Sequence, residues 1–294
     1  MILTNIFYHV DNFCRDLPKI LDTRIISSTK SDVYEFIDCK MPLQDVMTIL
    51  IYFHRSGYRN FKRYYHDCAD LYGAFNYRLS YTRFVEIIRH TIFPLFLFMK
   101  LYRCGSCTGT CFIDSTKLQV CHNLRITNNK VFSGMAKRGK TTTGWFYGFK
   151  LHLIINDIGE IVSFSITPGN TADSNKELVK QLAENCSGRL VGDRGYISKA
   201  LFEDLFKQGL ELITKIKKNM KNKLMDTYSK FILNKRGIIE ATNGILKSTC
   251  QIEHSRHRSP LNFLVNLLSG LVAYSFLEKK PSIRESMPIL TVNI

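Results

Sequence analysis

Residues 190–206 read LVGDRGYISKALFEDLF: an apolar run halts at Asp193, Arg194, Gly195 and Tyr196 follow, and apolar residues then recur at helical spacing. The order predicts a buried strand, a carboxylate at its C-terminal end, a turn and a helix. Asp and Gly are also ordinary turn residues, so a helix cap or surface turn accounts for Asp193 taken alone. A chemical role requires partners, and the flanking sequence supplies the frame in which to seek them.

Upstream, FKLHLIINDIGEIVSFSI (149–166) predicts two strands around a turn at 156–159, and CFID (111–114) a short strand. PGNTADSNKELVKQLAENC (168–186) predicts a helix capped near Asp173 or Ser174. Downstream, the helix SKALFEDLFKQG (198–209), the strand LELITKI (210–216) and the helix GIIEATNGILKSTC (237–250) continue the alternation. Strands alternating with helices predict an α/β sheet domain. Before about residue 103 the pattern is helical throughout, as in MPLQDVMTILIYFHRSGYRNFKRYYHDCADLYGAF (41–75), with no useful alternating run. The period changes at RCGSCTG (103–109), which divides the chain into a helical domain at 1–105, an α/β domain at 106–280 and a tail at 281–294.

With 294 residues, 45% of them hydrophobic, the chain buries a full core and is neither disordered nor fibrous. Its net charge of +16 favours a polyanionic partner, nucleic acid first. Lys and Arg are spread along the chain, which predicts a folded basic surface rather than a basic arm. The nine cysteines are odd in number and lack a dense disulfide framework, so they read as reduced and the protein as cytoplasmic. The N-terminal sequence does not resemble a signal peptide, and the longest apolar stretches, FPLFLFM (93–99) and LVNLLSGLVAYSFL (264–277), are too short to span a bilayer. No membrane partner is expected.

Asp114 closes CFID and is followed by Ser115 and Thr116, much as Asp193 closes its own strand. If the two strands pair in parallel, the two acids are neighbours at the carboxyl ends of the strands, where ligand sites in such sheets lie. Adjacent carboxylates repel unless a cation joins them, and all-oxygen ligands suit Mg²⁺. A third acid completes a site for two ions acting at phosphorus. Glu240 is the choice: in RGIIEATNGILK (236–247), Arg236, Asn243 and Lys247 share its helical face while Ile238, Ile239, Ile245 and Leu246 turn toward a core. An exposed helix carrying ion pairs explains that face equally simply.

Three basic clusters are candidates for DNA. HRSGYRNFKRYYH (54–66) interleaves cations with aromatics, which fits either nucleic-acid contacts or a helix with its rings in the core. KIKKNMKNK (215–223), with Lys217, Lys218 and Lys221, carries five Lys and no acid; HSRHR (254–258) carries Arg256 and Arg258. Cys104, Cys107 and Cys111, with Cys121 and His122 nearby, do not make the two separated ligand pairs of a structural zinc site and read as buried thiols.

Several blocks together resemble the DDE transposases of bacterial insertion sequences, specifically the family numbered nine-eight-two: FIDSTKLQVCHNLRI, AKRGKTTTGWFYGFKLHLIIND, TPGNTADSNK, GDRGYISKALFEDL, LITKIKKNMKNKLM and QIEHSRHRSPLNFLVNLLSGLVAY, in that order. QDVMTILIYFHRSGYRNFKRYYHD extends the likeness into the first third. The resemblance implies a ribonuclease H-like catalytic domain, a mixed five-stranded sheet flanked by helices, after an all-helical DNA-binding domain. Asp114 is then on the first strand, Asp193 after the fourth and Glu240 on a later helix, as catalytic residues and metal ligands. Two Mg²⁺ ions are implied, with Mn²⁺ able to substitute. So are cleavage at the element's ends, transfer of the 3′-OH strand to target DNA and a homo-oligomer on DNA. Arg236 and Lys247, with Lys217, Lys218, Lys221, Arg256 and Arg258, are the expected DNA contacts. A related group has Tyr at the position of Leu233 here, and the family more often has a polar pair at Gly244 and Ile245. A nuclease of the same fold without strand transfer, or an inactive DNA-binding descendant, are the alternatives.

Overall fold

Asn156 shows how the sheet is started. Its side-chain oxygen accepts from the Ile158 and Glu160 amides (3.2 and 2.9 Å), and its amide donates to Ser106 O and Glu160 Oε2 (3.0 and 2.9 Å). An Asn that closes a turn on its own backbone joins two antiparallel strands, here β3 (Gly144–Asn156) and β4 (Ile161–Pro168). The computed structural model to which these contacts belong describes residues 2–23, 39–71, 73–75, 77–142, 144–215, 226–253 and 257–283. Lys217, Lys218, Lys221 and Arg256 lie outside the described residues.

The remaining strands are β1 (Thr110–Cys121), β2 (Lys137–Thr141), β5 (Gly188–Gly192) and β6 (Leu210–Thr214). β1 lies antiparallel to β3 and parallel to β5, and β5 lies parallel to β6. β2 and β4 both pair with the edge of β3 that β1 leaves open, β2 along 144–148 and β4 along 149–155. The sheet is therefore mixed and five strands wide, in the order β4, β3, β1, β5, β6, with β2 extending the outer edge. The expected five-stranded mixed sheet is present.

Helices α6 (Lys176–Leu182) and α7 (Lys199–Lys207) lie between the parallel strands in the chain. They put Leu178, Val179, Leu182, Leu201 and Leu205 against Cys111, Ile113, Leu190 and Leu212 of the sheet in one buried cluster. Two local expectations are corrected. α6 is capped by Asn175, whose side chain accepts from the Leu178 amide, and not by Asp173 or Ser174. β1 does not stop at Asp114 but runs on to Cys121, with Asp114 to Lys117 only partly buried. The hydrogen bonds to β3 continue beyond Asp114 and carry the strand on.

By internal contacts the chain forms two units, 1–103 with 245–277 and 104–244 with 278–294. The first is helical: α1 (Ile2–Thr23), α2 (Leu43–Phe53), α3 (Phe61–Asp67), α4 (Tyr81–Ile87), α5 (Ile92–Phe98) and α10 (Pro260–Ser275). Ser259 caps α10 ahead of Pro260, and α10 packs on α2 and α5. Both α2 and α10 are apolar over most of their circumference, the mark of helices enclosed by others. No helix among the described residues is long and apolar enough to cross a membrane. Two further helices, α8 (Thr227–Asn234) and α9 (Gly237–Ser248), follow the sheet in sequence, and Asp226 caps the first.

Candidate functional site: an acid cluster on the sheet

β1 and β5 run in parallel register, with Phe112 beside Val191. Continuing that register two residues sets Asp114 beside Asp193, at the point where β5 has ended and β1 goes on. Asp193 is fixed by its own turn: Oδ1 accepts from the Gly195 amide at 2.7 Å and caps the short turn Arg194–Tyr196. A Cβ at position 195 would stand 2.9 Å from the same oxygen, so the tight loop suits glycine there.

Asp114 is held from the other side. Asn243 Nδ2 donates to Asp114 Oδ2 at 3.1 Å, and Asn243 lies one turn after Glu240 on α9. Glu240 in turn receives Arg236, four residues before it, in an ion pair. The helix proposed from spacing therefore touches β1 at Asp114 itself. Burial pushes the Asp114 carboxyl up to about 6; Arg236 and the Ser115 amide oppose the rise, while the charges of Asp193 and Glu240 add to it. The three acids thus share one electrostatic environment, which resists the ionisation of all three together and attracts a cation.

Two polar atoms at this place have no hydrogen-bond partner among the described residues: Asn243 Oδ1 and the Tyr196 hydroxyl. Tyr196 packs inside the apolar cluster under the sheet, and its phenol is pushed well up by burial and then by the charges of Asp114, Asp173 and Asp193. Packing explains its ring.

A second polar group adjoins the first through Ser115. Ser115 Oγ donates to Asp173 Oδ1 at 2.6 Å, and the nearly buried Lys150 donates to Asp173 Oδ1 and to Thr171 O, both at 2.9 Å. Sequence reasoning left Asp173 with a capping role. Its signal was the segment following β4: Thr167 pairs with Lys150 across the β3–β4 ladder, so the chain after β4 begins beside Lys150. His152, two residues after Lys150 on β3, is bonded to Thr167 Oγ1 (2.8 Å), and burial lowers its pKa to about 4.

The other candidates are placed as follows. Lys247 pairs with Glu253 at 3.1 Å rather than with Glu240. Arg258 is exposed and lines a cleft of about 610 Å³ in the helical unit together with Arg59, Lys62 and Tyr81. In HRSGYRNFKRYYH the rings of Tyr64 and Tyr65 are buried, with their hydroxyls on Ile49 O and Leu79 O, while Arg59, Lys62 and Arg63 face solvent.

A family model described as a transposase DDE domain matches residues 104–260. Among curated proteins nothing matches. Of solved structures, a piggyBac transposase synaptic complex with hairpin DNA is similar at 12% identity and a TM-score of 0.45, over 78% of this chain. This chain spans 62% of the length of that one.

Proposed function

The chain belongs to the transposase DDE domain family, and on that premise we propose that it is a DNA transposase that cuts at the ends of its element and joins the freed 3′-OH strand to target DNA. Its motif blocks favour the bacterial insertion-sequence family numbered nine-eight-two as its subgroup. Asp114, Asp193 and Glu240 are the proposed ligands of two divalent ions, Mg²⁺ first and Mn²⁺ in its place. The helical residues before 106 are assigned to DNA binding, residues 106–280 to catalysis and residues 281–294 to a tail. More than one copy is expected to assemble on DNA, because two element ends must be processed together.

One observation carries this reading: a partly buried carboxyl, Asp114, raised by burial and by two further acids, with one guanidinium in opposition. Three carboxylates form an oxygen-only donor set of excess negative charge, the environment that a hard divalent cation satisfies. The buried Asn243 Oδ1 is a further oxygen acceptor with no protein donor among the described residues. When bound, such ions polarise a phosphoryl oxygen and lower the pKa of coordinated water.

The chain's own contribution is orientation. Asn243 holds one oxygen of Asp114, the Gly195 amide holds one oxygen of Asp193, and Arg236 holds Glu240 along α9. The Ser115–Asp173–Lys150 group braces β1 immediately after Asp114. Arg236, Lys247 and Arg258, with Lys217, Lys218, Lys221 and Arg256, supply cations for phosphates.

The test is to incubate the protein with DNA carrying its element ends and Mg²⁺ and to map the products. Asp114→Asn, Asp193→Asn and Glu240→Gln should each abolish cleavage while DNA affinity is kept. A neutral variant that cuts at the normal rate removes that residue from the site. Cleavage without joining makes the protein a nuclease, and binding without cleavage in the unaltered chain makes it an inactive descendant.

A further inference from the structure

At the other end of the β1–β5 strand pair, three thiols meet. Cys107, Cys111 and Cys186 place their sulfurs within 4.8 Å of one another, and Cys107 and Cys111 are 3.4 Å apart. Cys104, Cys121 and His122, the other members of the group considered in the sequence, do not join them. Cys186 does, from 75 residues farther along the chain than Cys111.

The convergence is built by backbone. Gly188 has φ +85° and passes so close to Gly109 that a Cβ would lie 2.4 Å from Gly109 O. The Arg189 amide donates to the same carbonyl at 2.9 Å. These contacts clamp the segment ahead of β1 against the segment ahead of β5, and each segment carries a thiol. Cys111 on β1 pairs with Leu190, and Cys186 sits in the turn after α6, where its amide donates to Ala183 O.

We propose that Cys107, Cys111 and Cys186 bind one thiophilic metal ion, Zn²⁺, at a site separate from the acid cluster. A tetrahedral Zn²⁺ with thiolate bonds of about 2.3 Å needs sulfurs about 3.8 Å apart. The three sulfurs reach that spacing with shifts of about 1 Å or less. The Ser187 amide donates to Cys107 Sγ at 3.4 Å, a backbone hydrogen bond of the kind that supports a metal-bound thiolate. Cys107 is partly exposed, which gives an ion access, while Cys111 and Cys186 are buried. No fourth His, Cys, Asp or Glu joins the group among the described residues, so a water completes the coordination.

The thiols also act as one unit in their protonation. Hydrogen bonding to Cys186 and burial push Cys111 up, whereas hydrogen bonds from Cys111 and Cys107 lower Cys186. A disulfide is the competing use of two such neighbours, but it would strand the third sulfur.

The test uses the full chain, reduced with a phosphine and supplied with Mg²⁺. Co²⁺, as a spectroscopic stand-in for Zn²⁺, should give a sulfur-to-metal charge-transfer band at one ion per chain, and Zn²⁺ should abolish the band by displacement. Cys186→Ser should weaken Zn²⁺ binding by more than about 100-fold, beyond the loss expected for a supporting contact alone. Cys121→Ser should leave it unchanged. A second measurement needs no variant: Zn²⁺ should protect Cys107 of the unaltered protein from alkylation, read by peptide mass spectrometry. Absence of a thiolate band, alkylation of Cys107 at the same rate with and without Zn²⁺, or a disulfide joining two of the three in the protein as isolated would each overturn the site.

Discussion

Asp114 carries its charge at some expense to the fold. Its carboxyl is raised from 3.8 to about 6, so above pH 6 the folded state holds a carboxylate that the unfolded chain accommodates more easily. The penalty is about 3 kcal/mol and disappears below about pH 4, where both states are protonated. Asp114→Asn should therefore melt a few degrees higher than the unaltered protein in chelator at pH 7.5, while the proposed site predicts that it loses cleavage. Mg²⁺ should raise the melting temperature of the unaltered chain and barely move that of the variant. Calorimetry with and without Mg²⁺ checks both statements, and a variant that melts lower in chelator contradicts the electrostatic account. The proposed ligands stand out in the sequence at this scale: Asp114 and Asp193 each follow an apolar run, and Glu240 lies amid cations at helical spacing. Asn243 was legible only as a neighbour of Glu240 on one face. Its bond to Asp114 joins residues 129 positions apart, which no local pattern encodes.

Helix α9 brings Glu240 and Asn243 to β1, and it does so with a glycine in its interior. A Cβ at Gly244 would meet nothing within 4 Å, and its φ lies in the ordinary helical range. Glycine there weakens the helix relative to alanine by about 0.5–1 kcal/mol, mainly by leaving more freedom to the unfolded chain. Gly244→Ala should thus raise urea resistance by about that amount and leave the cleavage rate within twofold. A drop in stability would show that position 244 is crowded. At the level of elements, the apolar cores of β1, β3 and β5 were readable from period, whereas β2, which is KRGKT, and the polar continuation of β1 past Asp114 carry no such signal. The cap of α6 was misread because Asp173, Ser174 and Asn175 are all good caps. Tertiary contact decided among them: Asp173 is taken by Lys150 and Ser115, and Asn175 takes the helix.

For the whole molecule, charge and buried histidines set the response to salt and acid. With a net charge of +16, DNA binding should weaken steeply as salt rises. Replacing Lys217, Lys218 and Lys221 together should flatten the slope of log affinity against log salt by about 2 to 3. An unchanged slope would remove those three lysines from the DNA contacts. Acid acts through His54 in the helical unit and His152 in the sheet unit, both lowered to about 4 by burial. His54 donates Nδ1–H to Cys250 O and His152 bonds Thr167. A histidine kept neutral when folded leaves the unfolded state binding more protons between pH 6.5 and 4, so stability is full above about 6.5 and is lost as pH falls toward 4. Each contributes up to about 3 kcal/mol to that loss. Asp114 works in the opposite direction between pH 6 and 4, so urea unfolding should show the steeper acid loss in the Asp114→Asn background. A flat profile in that background would refute the histidine account.

Hydrophobic period and turn chemistry are local properties, so the type of most elements and the change from a helical to an α/β region were readable in the sequence alone, and Asp114, Asp193 and Glu240 stood out there as candidate acids. It also carried enough motif blocks to imply the transposase resemblance. Only the tertiary structure decided which strands lie side by side, since a strand's pattern shows what it buries and not its neighbour. The parallel β1–β5 pairing is what sets Asp114 beside Asp193 and brings Cys186 to Cys107 and Cys111. Likewise α10, apolar over most of its surface, fits any apolar surface; contact with α2 and α5 returns residues 245–277 to the helical unit. Such pairings are settled by packing between residues far apart in the chain, where the free energy depends on shape complementarity rather than on spacing.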